Sequence, residues 1–93
     1  MKLSIIIPHH NGKKLLFDCL ESLFENISID SFEVIVVDNH SNDGSADEAK
    51  IHFPSIHLLK SKKNLGYSGG CNFGAKKAIG EYIICLLYTS DAA

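Results

Sequence analysis

Four strand-length apolar runs, separated by segments of a different hydrophobic period, constrain this chain more than any other feature. LSIII (3–7), FEVIVV (32–37), IHLLK (56–60) and EYIICLL (81–87) are rich in β-branched and aromatic residues and predict strands. The first run is uninterrupted by polar residues beyond Ser4 and is ended by Pro8, as expected of a strand buried on both faces. From Lys13 the period changes. Leu15, Leu16, Cys19, Leu20, Leu23, Phe24 and Ile27 recur at helical spacing, leaving Lys14, Asp18, Glu21 and Glu25 outward. SADE (45–48) has the form of a capping box, with Ser45 as cap and Glu48 reaching back, so a helix begins there and ends before Pro54. A helix of small residues is predicted from Ser68 to Ile79. The order β-α-β-α-β-α-β, with crossovers long enough for parallel pairing, predicts an α/β fold. It is an open, mostly parallel, Rossmann-like sheet with helices on both faces.

In such a sheet, ligands bind beyond the carboxyl ends of the strands. PHHNG (8–12), DNHSNDGS (38–45) and KSKKNLGYSGG (60–70) follow the first three strands, so all three polar loops are predicted on one rim. Asp38, placed directly after Val36 and Val37, can accept a base N–H or a ribose hydroxyl, or can simply cap the turn. Asn42 and Asp43 favour a structural reading, because Asx turns consume such side chains locally. NLGYSGGCNFG (64–74) is neither of the familiar phosphate loops. It lacks G-x-G-x-x-G, and Ala75 stands where a P-loop needs lysine. Gly69, Gly70 and Gly74 either let amides approach a diphosphate or let a helix pack closely on the sheet. His9, His10, Asp38 and His40 fall on adjacent strand ends, yet their spacing demands no metal, and a hydrogen bond to solvent or a ligand base is the plainer reading. Lys60, Lys62 and Lys63 read as a solvated basic turn.

Composition excludes several classes. Nine Lys and Arg against eleven acids give a net charge of −2 and no basic face for nucleic acid. The run YIICLLY (82–88) is too short to cross a bilayer, and without a charged-then-apolar leader the chain reads as cytoplasmic. Cys19, Cys71 and Cys85 are odd in number and set among apolar residues, so they are expected to be buried thiols, neither a disulfide framework nor a zinc site.

Taken together, SIIIPHHN, EVIVVDNHSNDGS and KNLGYSGGCNFGAKKAIGEYIICL resemble, in order and spacing, the family 2 glycosyltransferases. The VVDN.S.DGS and N.GYSGG.N.G forms are similar to those of the rhamnosyl- and galactofuranosyltransferase branch. The resemblance implies the nucleotide-binding half of a GT-A fold and a donor linked to UDP or dTDP. The donor's sugar would pass to a hydroxyl of a glycan, lipid-linked or polysaccharide acceptor. It also implies nucleotide contacts from Pro8, His9, His10 and Asn11, from Asp38, Asn39 and Ser41, and from Gly66, Gly70 and Asn72.

The same resemblance implies an acidic cluster after the fourth strand, holding Mg²⁺ or Mn²⁺ on the diphosphate. Leu87, Tyr88 and Thr89 stand there instead, and Asp91 comes too late. Residues 1–86 are therefore expected to be the nucleotide-sugar-binding part of a truncated domain, with 87–93 an atypical tail. Such a chain would have no catalytic residues or usual metal motif, would lack transfer activity alone, and would expose the edge of its fourth strand. Membrane association would belong to the longer enzyme. The competing readings are a stand-alone nucleotide-binding module and a flavodoxin-like or response-regulator-like domain. The last fits poorly, because the first strand lacks the acidic pair a response regulator needs.

Overall fold

The computed structural model describes residues 2–27 and 31–86. Seven elements alternate as expected: β1 (Leu3–His9), α1 (Lys13–Asn26), β2 (Phe32–Asp38), α2 (Ser45–His52), β3 (His57–Lys60), α3 (Gly66–Ala75) and β4 (Tyr82–Cys85). The strands form one sheet of order β3-β2-β1-β4, and every pairing is parallel.

Alternation along the strands divides the core in two. Ile5, Ile7, Val34 and Val36 pack with Leu16, Leu20, Ala49 and Ile56 beneath α1 and α2. Ile6, Ile35 and Val37 face the opposite way and meet Phe73 and Ala75 of α3, with Ala78 beyond it. Helices thus cover both faces, which is why β1 and β2 read as nearly continuous apolar runs. The chain steps from β1 through β2 to β3 with helices on one face, then returns past β1 to β4 with α3 on the other. Right-handed crossovers require that change of face when the direction reverses.

α3 lies close to the sheet because its inward face is glycine. A Cβ on Gly74 would come within 2.6 Å of Ile6 Cγ2 and 3.1 Å of Val37 Cγ2. Gly74→Ala is therefore expected to cost about 1–3 kcal/mol of stability through overpacking, read as a lower urea midpoint.

Several local expectations are corrected. Pro8 does not end β1: the strand runs on to His9, with Pro8 opposite Val37 and His9 opposite Asp38. Ile6 offers its carbonyl to Leu86 on the β4 side, whereas His9 offers its own to Asn39 on the β2 side. By alternation the nitrogen of Pro8 faces the β4 side, where the pairing among the described residues runs to Ile6 and Cys85. Among the described residues no ladder bond is lost there, so proline is tolerated.

The capping box does not form either. Gly44 occupies the cap position and Ser45 lies one place inside α2, while the Glu48 carboxylate pairs with Lys13 at 2.8 Å. α3 starts two residues earlier than predicted, where Asn64 Oδ1 accepts the Gly66 amide at 2.8 Å. It ends at Ala75 because the following backbone is drawn to the sheet. Ile79 N–H donates to Glu33 Oε2 at 2.8 Å and Gly80 N–H to Ser4 Oγ at 2.9 Å.

The cysteine reading is overturned in part. Cys71 of α3 is joined to Cys85 of β4 in a disulfide with Cα atoms 6.1 Å apart, and Cys19 is the free thiol, its pKa raised by burial. As expected, β4 is exposed: Tyr82, Ile83 and Ile84 are 62%, 48% and 45% accessible. No helix among the described residues is long and apolar enough to cross a membrane.

Candidate functional site

The ends of β1, β2 and β3 deliver their loops to one rim, and a set of side-chain-to-backbone hydrogen bonds fastens the loops together. The first and second loops are joined four times. Asn11 N–H donates to Ser41 Oγ at 2.7 Å, and Asn42 N–H to Asn11 Oδ1 at 3.0 Å. Gly12 N–H donates to Asp43 Oδ2 at 2.8 Å, and the His10 ring lies 2.8 Å from the Asn39 carbonyl through Nδ1. Asn39 then reaches the third loop, donating from Nδ2 to the Gly66 carbonyl at 3.1 Å and accepting from Leu65 N–H at 3.4 Å.

The Asp38–His40 segment divides the rim into two pockets. A pocket of about 140 Å³ is lined by Asp38, His40, Ser41, Ala46, Asp47 and Lys60, among others. The second, about 220 Å³, is lined by Pro8, His9, His10, Asn39, Asn64 and Gly66, with Tyr67 at its edge. Asp38 is only 6% exposed; its Oδ1 accepts the Ser41 amide at 3.0 Å, and its Oδ2 accepts no hydrogen bond among the described residues. A carboxylate that lines a pocket with only one of its oxygens committed is a ready acceptor for an N–H or hydroxyl donor. Lys60 is not free to bind an anion alone, since its ammonium pairs with Asp47 at 2.7 Å; that hydrogen bond and the charge behind it raise its pKa.

The residues singled out from sequence divide by position. Pro8, His9, His10, Asn11, Asp38, Asn39, Ser41 and Gly66 share the rim. Gly70 lies just behind it, where a Cβ would fall 2.9 Å from Pro8 Cβ and 3.0 Å from Asn39 Nδ2. Asn72 is not brought there. It is exposed, two residues beyond Gly70 and so on the far side of α3. His9 is also placed differently from a rim histidine facing solvent. It is 2% exposed with Nε2 2.7 Å from Ser45 Oγ, and burial lowers its pKa against the opposing pull of Asp38.

Asn64 and Tyr67 line the second pocket without having been picked out from the sequence. The N-x-G spacing, an Asx turn leading into a helix, is the signal that could have found Asn64. Among the described residues no three His, Cys, Asp or Glu side chains converge to hold a metal ion. The stretch following β4, where the acidic motif is expected, lies outside the described residues.

Comparison with known proteins gives the family. Residues 4–86 match the model described as glycosyl transferase family 2. The chain is 38% identical over 87 residues to the uncharacterized glycosyltransferase YfnE of Bacillus subtilis, spanning 90% of this chain and 22% of that protein. It is 35% identical over 89 residues to the poly(ribitol-phosphate) beta-glucosyltransferase of Bacillus spizizenii, spanning 90% of this chain and 14% of that protein. Among solved structures, S. aureus TarS 1–349 in complex with UDP superposes with a TM-score of 0.79 at 27% identity, over 92% of this chain and 27% of the TarS 1–349 chain. The mannosyltransferase PcManGT from Pyrobaculum calidifontis, in complex with GDP-Man and Mn²⁺, superposes with a TM-score of 0.76 at 26% identity, over 88% of this chain and 26% of PcManGT. The observed sheet and helices are those of the nucleotide-binding half of the GT-A fold.

Proposed function

This chain belongs to the family 2 glycosyltransferases, and on that premise we propose that its carboxyl rim holds the nucleotide of a sugar donor linked to UDP or dTDP. The reading is carried by one observation: Asp38 and Gly66 stand on the same rim, joined through the Asn39 side chain. In this reading Asp38 Oδ2 accepts from the pyrimidine base or the ribose. Pro8, His9, His10 and Asn11 form the wall against which the nucleotide lies, and Ser41 holds the backbone of that wall. Asn39 sets the height of Gly66, where the first turn of α3 presents amides to the diphosphate. Gly70 lets that turn approach Pro8, and Asn72 is left without a donor contact.

In the longer enzyme the donor's sugar passes to a hydroxyl of a glycan, lipid-linked or polysaccharide acceptor, with the acceptor base supplied outside residues 1–86. The motif forms shared with rhamnosyl- and galactofuranosyltransferases suggest that class of sugar. Mn²⁺ in the PcManGT complex supports divalent metal use in the family. Among the described residues of this chain no three His, Cys, Asp or Glu side chains converge on a metal site.

Calorimetry tests the reading. UDP or dTDP is expected to bind in preference to ADP, with no sugar transfer by this chain when acceptors and Mn²⁺ are added. Absence of heat with both pyrimidine nucleotides at millimolar concentration would overturn it.

A further inference from the structure

We propose that Asp43 is a positioning residue for this site: it holds the first loop in place and fixes the proton of the buried His9, without touching the donor. The proposal deepens the nucleotide-binding reading and, for its effect on affinity, rests on it. Asp43 lines neither rim pocket. Its two oxygens are divided between two loops. Oδ2 accepts Gly12 N–H at 2.8 Å, and Oδ1 accepts both the amide of Ser45 at 3.0 Å and its hydroxyl at 2.5 Å.

Ser45 is fully buried, and its single hydroxyl proton goes to a carboxylate that can only accept. The Ser45 oxygen must then receive from its other neighbour, His9 Nε2, which stands 2.7 Å away. His9 therefore carries a proton on Nε2, and the order of donation runs from His9 through Ser45 to Asp43. Hydrogen bonds from Ser45 and from the Gly12 amide hold the Asp43 carboxyl at about 2, so the acceptor end of this chain stays ionised.

Gly12, the other residue Asp43 grips, has φ 104° and begins the turn into α1. Only glycine enters that region at low cost, so the bend needs an external hold to be kept in one shape. His9 and Gly12 bracket His10, which lines the second pocket, and Asn11, which is tied to the second loop. Asp43 fixes both ends of that bracket through one carboxylate.

The test uses the 93-residue chain with UDP as probe, comparing Asp43→Ala, Asp43→Asn and Ser45→Ala. UDP affinity is expected to fall about tenfold in Asp43→Ala, the scale of one charge-assisted hydrogen bond. Asparagine keeps an acceptor oxygen and recovers most of that affinity. The ¹⁵N signals of the His9 ring report the Nε2–H form in the parent, and lose that single-tautomer pattern in Asp43→Ala and Ser45→Ala. An unchanged His9 ring signal in Asp43→Ala overturns the proposal, as does parental UDP affinity in that variant. If Asp43→Ala does not fold, Asp43→Gly, which also withdraws both acceptor oxygens at an exposed loop position, carries the same ring measurement with the same expected loss. If the parent itself fails to bind UDP, the nucleotide reading falls, while the ring signal still decides whether Asp43 sets this loop.

Discussion

Asp38→Ala weakens UDP binding by about 10- to 100-fold and lowers the unfolding midpoint by no more than about 5 °C. The two effects separate because the two carboxylate oxygens have separate duties. Oδ1 serves the fold by accepting the Ser41 amide at 3.0 Å, a single part-buried bond within one loop. Oδ2 is free for a ligand, and an acceptor held at 6% exposure loses little freedom when it binds. Asp38→Asn retains an acceptor oxygen and the Ser41 bond, so it should fall between parent and alanine. Titration calorimetry of the three proteins, with thermal melts alongside, checks both halves. Equal UDP affinity in parent and alanine variant would remove Asp38 from the site.

Glu33→Ala produces the opposite pattern, a loss of about 3–5 kcal/mol of stability with the nucleotide affinity of the folded fraction unchanged. Glu33 lies at the amino end of β2, across the sheet from the rim, and is 7% exposed. Its Oε2 accepts the Ser4 hydroxyl at 2.5 Å and the Ile79 amide at 2.8 Å. Ser4 Oγ in turn accepts the Gly80 amide at 2.9 Å, and His57 Nε2 lies 3.6 Å from Oε1. One carboxylate thus holds β1, β2 and the turn that leads from α3 into β4, with an exposed histidine of β3 beside it. Removing it strands a buried hydroxyl and a backbone donor together. For a domain whose total stability is about 5–10 kcal/mol, that is a large share. Glu33→Gln keeps an acceptor and should lose about half as much. A urea midpoint for Glu33→Ala equal to the parent's would show that the network contributes little.

How much of this was legible in the sequence follows from the range over which each interaction acts. Apolar runs and the 3.6-residue period are local, and they placed the four strands and α1, while SADE and a run of small residues marked α2 and α3. The gathering of three loops on one rim followed from parallel order alone. Contacts between those loops were not legible, because their partners lie about thirty residues apart along the chain. Ser45 read as a helix cap from its neighbours, yet its oxygen stands against the ring of His9, 36 residues earlier. His9 read as a rim histidine because nothing local announces that burial. Cys71 and Cys85 are brought together only by the docking of α3 against β4. Pro8 read as a strand end because the neighbour toward which its nitrogen points, and how far that neighbour's pairing runs, is a property of the sheet. Asn72 is a different case, since counting two residues from Gly70 around a helix already turns it outward.

The fastenings between the loops have a consequence for how such a site can diversify. Nearly all of them terminate on main-chain atoms in at least one partner: the amides of Asn11, Gly12, Asn42 and Leu65, and the carbonyls of Asn39 and Gly66. Every residue type but proline brings those atoms, so a new side chain at position 10 or 64 can alter what the cleft accepts while most of the frame remains tied. Selectivity for the guest and integrity of the host are thereby written in different parts of the same residues, and one can drift while the other is kept.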